Sequence, residues 1–174
     1  GFAQVFAPHP LMGAYGGFGK VWLTDTLCYK VYPGCAYIDT SIDCILTLVR
    51  THSIDAKKVK EVHIATGPLT LGMEALAAPH LKGPDSLPTT LNFTLGYNVA
   101  AALIDKELTA RQFTRDRIHD AATWDLASRV HVTLDDVIAQ RTRERSLVKT
   151  ITDSDGEHYQ LDLNSLDLTG FKMS

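Results

Sequence analysis

The chain has 174 residues, enough for one domain of ordinary size. Hydrophobic residues make up 45% and charged residues 21%, which allows a real core and excludes wholesale disorder. The net charge is −3, and no Lys/Arg run or aromatic-interleaved basic stripe appears, so nucleic acid is not the expected main partner. The densest basic patch, Arg141, Arg143 and Arg145, is interrupted by Glu144. No apolar run approaches the ~20 residues needed to cross a bilayer, and no signal-peptide pattern opens the chain. Cys28, Cys35 and Cys44 form no C-x-x-C pair, and their odd number fits a reduced protein. The expectation is a soluble, cytoplasmic protein without a membrane partner. Its first residue, Gly1, reads either as a processed start or as the edge of a longer chain.

Residues 1–20 are rich in glycine, contain two prolines and show no clean period, so they read as an irregular segment separate from the domain at 21–174. The GGFGK ending does not make a phosphate loop, because Ala14 stands at the required first glycine and Val21 follows Lys20. Val21 to Leu27 alternates and predicts a strand. Val59 to Thr66 predicts a second, with Val62, Ile64 and Thr66 on one face and His63 as a cross-strand surface residue. Leu69 to Ala78 is helix-capable, and 79–88 is a loop. Thr89 to about Ile104 predicts one strong helix, apolar on two faces, in which Asn92, Tyr97 and Asn98 need polar partners. Leu108 to His119 predicts a short helix capped by Thr109, and Asp120 caps another that runs to Ser128. Arg129 to Leu134 predicts a strand, and 135–146 an exposed linker. Leu147–Thr152 and His158–Leu163 predict a hairpin about DSDGE. The class is α+β: two main helices on a small, mostly antiparallel sheet.

The stretch from Cys28 to Arg50, CYKVYPGCAYIDTSIDCILTLVR, is the most informative. Ile38, Ile42, Leu46 and Val49 are spaced by four, four and three, which puts them on one buried stripe of a helix. Ahead of it, Lys30 lies between Tyr29 and Tyr32, and Pro33-Gly34 breaks the chain. Two readings of Lys30 stay open here: a surface lysine on a loop, or a cation held in an ordered turn. The seven histidines are scattered without metal-binding spacing, and no serine has a G-x-S-x-G context. The residues by themselves stop at an α+β domain with a candidate anion site around Lys30 and Tyr97. Lysine suits carboxylates as a point charge, and a buried tyrosine hydroxyl can hydrogen-bond or relay a proton.

KVYPGCAYIDTSIDCILTLV resembles the K-P-Y-P-C-C-x-x-x-H-x-x-I-D-A-x-x-x-L segment of the MmgE/PrpD family. Further along, LNFTLGYNVAAALIDKELTARQF is similar to that family's A-x-F-S-L-x-Y-x-V-A-x-A-L-L-D-G helix. The resemblance runs over about residues 17–135. It implies kinship with 2-methylcitrate dehydratase, cis-aconitate decarboxylase and iminodisuccinate epimerase. These share cofactor-free proton abstraction next to a carboxylate of a small di- or tricarboxylic acid. It further implies that the chain is the smaller α+β lid of a longer lyase or isomerase, often a homodimer. A missing helical domain would then supply most catalytic groups, including the general base, so the isolated chain is expected to be inactive.

Carried over residue by residue, the resemblance makes Lys30 and Tyr97 catalytic, with Lys30 reaching a substrate carboxylate. Cys35 matches the second cysteine of the motif, and Gly34 replaces the first. Cys35, Asp39 and Asn92 complete the substrate-binding set, and no metal is implied. Two departures bear on the substrate. Asp39 stands where the family has histidine, and Gly96 stands where it has a larger residue before the tyrosine.

Overall fold

The computed structural model describes residues 19–20, 29–139, 147–153 and 158–159. The chain divides into two units, Gly1–Tyr29 with Met173–Ser174, and Lys30–Lys172. The second unit carries the described architecture. The strand expected at 21–27, the DSDGE turn and the tail lie outside the described residues.

A short 3-10 turn, Ala36–Ile38, leads into helix α1, Asp39–His52, which ends on Ser53 in the left-handed region at φ 52°. Ile38, Ile42, Leu46 and Val49 are all buried, as their spacing predicts. Strand β1, Val59–Thr66, follows and buries Val62, Ile64 and Thr66 together. His63 lies on the other face, half-exposed beside Glu61 at 3.3 Å, and stacks on His131 of the neighbouring strand at 5.1 Å. The expected cross-strand surface role for His63 therefore holds.

Helix α2, Pro68–Ala77, starts with proline at its first position, where the missing N–H costs nothing. The loop after it contains 3-10 turns at Ala78–His80 and Gly83–Asp85. The predicted single helix from Thr89 is in fact two: α3, Pro88–Leu91, and α4, Leu95–Asp105. Side chains cause the break. Asn98 Nδ2 donates to the carbonyls of Leu91 and Thr94 at 2.7 and 2.6 Å, and Thr94 Oγ1 donates to Leu91 O at 3.1 Å. Glu74 of α2 then accepts the Leu95 N–H at 2.7 Å and caps α4 from outside. Downstream, α4 keeps the expected apolar character, burying Leu95, Val99, Ala100 and Leu103.

Thr109 and Asp120 cap as expected, but the single helix expected over 108–119 is a 3-10 turn and a separate short helix that meet at Thr114. Thr109 forms a capping box with Gln112 at the 3-10 turn Ala110–Phe113. After the short helix α5, Arg115–Ile118, Asp120 accepts from the Thr123 N–H at 3.1 Å and opens α6, Ala121–Ala127. Strand β2, Val130–Leu134, comes next. Part of the expected linker at 135–146 is helical: Asp135 accepts from the amides of Val137 and Ile138 and starts α7, Asp136–Ala139. Strands β3, Leu147–Asp153, and β4, His158–Tyr159, close the described chain.

The class is α+β, with α1 and α4 packed together beside the sheet. Strand order is β2-β1-β3-β4. One detail corrects the expectation of a mostly antiparallel sheet: β1 and β2 run parallel, with Val62 opposite Val130 and Thr66 opposite Leu134. The residues between them, including α2 to α6, form a long crossover, the kind of connection that parallel neighbours need. Strand β3 pairs antiparallel with both β1 and β4. No helix among the described residues is long and apolar enough to cross a membrane.

Candidate functional site

The turn Lys30–Cys35 is fixed at three points. Lys30 Nζ donates to Gly34 O at 2.6 Å, folding the lysine back over its own turn. The Cys35 N–H donates to Asn92 O at 2.7 Å, tying the turn to the α3–α4 break. Gly34 is buried against α1 and α4: a Cβ there would overlap Ile38 Cδ1 and lie 3.4 Å from Asn98 Oδ1. Only glycine allows that approach without displacing the core side chain of Ile38.

Lys30 is exposed, and among the described residues its ammonium has no carboxylate partner. Asp39, the first residue of α1, lies close enough for Lys30 to influence its charge. Its Oδ1 is buried and accepts no hydrogen bond. Burial pushes the Asp39 carboxyl up to about 6, Asp43 adds to the rise, and Lys30 opposes it. Asp43 accepts the Tyr32 hydroxyl at 2.5 Å. Burial and the Asp43 hydrogen bond hold that hydroxyl well above its ordinary value. Asn98, fully buried, uses both amide hydrogens and leaves Oδ1 unpartnered. Neither Cys35 nor Cys44 is in a disulfide.

Five of the singled-out positions therefore meet around one turn: Lys30, Gly34, Cys35, Asp39 and Asn92, the last through its backbone carbonyl. Tyr97 sits elsewhere. It is only 2% exposed, its ring packs against Phe113 and Trp124, and its hydroxyl donates to the Gln112 carbonyl. Burial raises its pKa to about 12. Gly96 opens no space before it: a Cβ there would stand 3.3 Å from the Ala127 carbonyl, so the glycine lets α4 approach the end of α6. Asp43 is absent from the residues singled out in the sequence, and Tyr32 enters there only as a neighbour of Lys30. They are eleven apart, a separation that matches no motif, and only the rule that buried polar groups need partners points to them.

The arrangement offers a cation on a hydrogen-bonded turn, a partly compensated carboxyl near it and a thiol at the edge. Residues 32–164 match the family model described as the MmgE/PrpD C-terminal domain. No curated protein matches the chain. The matched segment extends the resemblance through the closing strands, and Lys30 stands two residues ahead of it. As the match covers well over half of the residues, the chain belongs to the MmgE/PrpD family.

Proposed function

We propose that this domain is part of a cofactor-independent lyase or isomerase acting on a small di- or tricarboxylate, with 2-methylcitrate and cis-aconitate as the model substrates. In this reading a base from outside these residues removes a proton α to a carboxylate, and loss of water, loss of CO2 or reprotonation follows. Lys30 holds a substrate carboxylate, and Cys35, Asp39 and Asn92 form its surroundings. The helical domain of the same longer protein completes the cleft, the active species is a homodimer, and the compartment is the reducing cytoplasm.

The observation that carries the proposal is Lys30 itself: a lysine on a turn fixed at Gly34 and Cys35, with no carboxylate of the described residues hydrogen-bonded to it. A charge-assisted hydrogen bond from such a group contributes about 1.5–3 kcal/mol. Replacing Lys30 by alanine in the full-length protein should therefore lower kcat/KM by roughly 10- to 150-fold. Steady-state rates on a panel of polycarboxylates check this, and an unchanged kcat/KM on the accepted substrate would sink the role.

One observation favours a second reading, a structural α+β domain without chemistry. The Tyr97 hydroxyl is satisfied by backbone and shut off from solvent, which suits a structural residue better than a proton relay. The substitution Tyr97→Phe separates the two readings. Catalysis through Tyr97 predicts a fall in kcat of tenfold or more, whereas a structural role leaves kcat unchanged and lowers only stability.

A further inference from the structure

Asp39 is a group of the proposed site whose charge is only partly balanced: Lys30 favours it, but burial and Asp43 outweigh Lys30. A carboxylate in the first turn of a helix is normally stabilised by the helix dipole. Here its Oδ1 is closed off from solvent and accepts no hydrogen bond. Lys30 Nζ gives one of its three hydrogens to Gly34 O, and among the described residues it makes no hydrogen bond to Asp39. One turn along α1, Asp43 adds a second negative charge, and the Tyr32 hydroxyl goes to Asp43 rather than to Asp39.

Glu74 and Asp105, on the neighbouring helices, are engaged elsewhere. Glu74 of α2 is spent on the Leu95 N–H. On α4, Asp105 is paired with Arg117, and Tyr97 donates to Gln112. Arg50, in the last turn of α1, bears on Tyr32. Next to the turn, Asn98 Oδ1 is a second buried acceptor without a donor, directed at Gly34. Among the described residues, neither of these two buried oxygens has a hydrogen-bond donor.

We propose that Asp39 determines which charge the Lys30 site accepts: a carboxylate ligand binds together with one proton, which Asp39 takes up from solvent. This rests on the reading of Lys30 as a carboxylate contact. An anion arriving at Lys30 meets like charge from Asp39 and Asp43. Protonating Asp39 removes one of the two charges and adds a donor where the turn lacks one. The upward shift already present in the unliganded fold has the same origin and puts the change within reach of ordinary pH.

The test is calorimetric titration of fumarate into the full-length protein at pH 5.5 and 7.5, in two buffers of different ionisation enthalpy. Fumarate keeps both carboxylates ionised at these pH values, so any proton taken up goes to the protein. Linkage to a group that titrates near 6 makes binding roughly twentyfold weaker at pH 7.5, with close to one proton taken up there. Asp39→Asn should bind with one affinity at both pH values and take up no proton, and Lys30→Ala should lose binding at both.

Equal wild-type affinities without proton uptake, with binding lost in Lys30→Ala, would overturn the role of Asp39 and keep the site. Unchanged affinity in Lys30→Ala would overturn the site and the Asp39 role with it. No binding by wild type and by Asp39→Asn at either pH would overturn both. Carbon NMR of the Asp39 carboxyl needs no variant: fumarate should move its titration to higher pH, and an unmoved titration would overturn the proposal.

Discussion

Helix α4 has two polar sides, and they are built differently. Around Tyr97 every polar group is matched. Its hydroxyl donates to Gln112 O, while the Gln112 side chain accepts from Thr109 and donates to Asp105 at 2.8 Å. Arg117 meets both oxygens of Asp105 at 2.8 Å. One residue along, around Asn98, the pattern reverses: Asn98 Oδ1 and Asp39 Oδ1 are buried without partners, and the nearby lysine bonds only to backbone. Buried polar groups are ordinarily satisfied. The Tyr97 side therefore reads as scaffold, and the Asn98 side as the place where unmet hydrogen-bonding capacity is kept beside an exposed cation.

If that contrast is right, damage on the Tyr97 side should appear as lost stability. Tyr97→Ala removes a ring packed against Phe113 and Trp124 and should cost about 3–5 kcal/mol, measured by urea denaturation. A loss under about 1 kcal/mol would show that α4 is not seated on this ring. Asp105→Ala leaves the Arg117 guanidinium and Gln112 Nε2 without their shared acceptor, for about 2 kcal/mol. Because Asp105 and Arg117 are both partly exposed, a smaller value would mean that water replaces the pair. On the other side of α4, Gly34→Ala forces Ile38 to move in the core and should cost about 1–3 kcal/mol. It should also weaken ligand binding at Lys30, because the lysine is held by the Gly34 carbonyl. Lost stability with intact binding would separate the turn from the site.

The two sides also differ in how far residue order reveals them. Alternation in Val59–Thr66 suffices to place β1, and the four-four-three spacing of Ile38, Ile42, Leu46 and Val49 suffices for α1, because both patterns are local. Thr109 and Asp120 announce their caps by residue type. The break at 92–94 is not announced. It depends on Asn98 reaching back to Leu91 and on Glu74 arriving from 21 residues away. The parallel pairing of β1 with β2 is hidden for the same reason, since a crossover of more than sixty residues decides it. Lys30 stands out as a candidate from its setting and Asp39 only through motif resemblance, and their shared turn emerges from contacts made by Gly34 and Cys35. Tyr97 is visible too, but which way it faces follows from Phe113 and Trp124, which no motif ties to it.

The smallest expected effect is the one that bears most directly on the contrast. In the fold the Asp39 carboxyl titrates at about 6, against an ordinary 3.8. A raised folded-state value means that the folded protein holds the proton more tightly than the unfolded chain does. The associated stability is complete below about 4 and is lost as pH rises through 6. Above that range the wild type folds with a carboxylate that Lys30 only partly compensates, and Asp39→Asn does not. The variant should therefore match the wild type near pH 4 and exceed it at pH 7.5. The gain should be on the order of 1 kcal/mol, discounted because the group is about half exposed to solvent screening. Urea midpoints of both proteins at the two pH values measure it. Glu74, also raised by burial, and Asp120, lowered by its Thr123 hydrogen bonds, are common to both proteins and cancel in the difference. A gain of the same size at both pH values would mean that the Asp39 carboxyl is matched in solution. The Asn98 side of α4 would then be as well satisfied as the Tyr97 side.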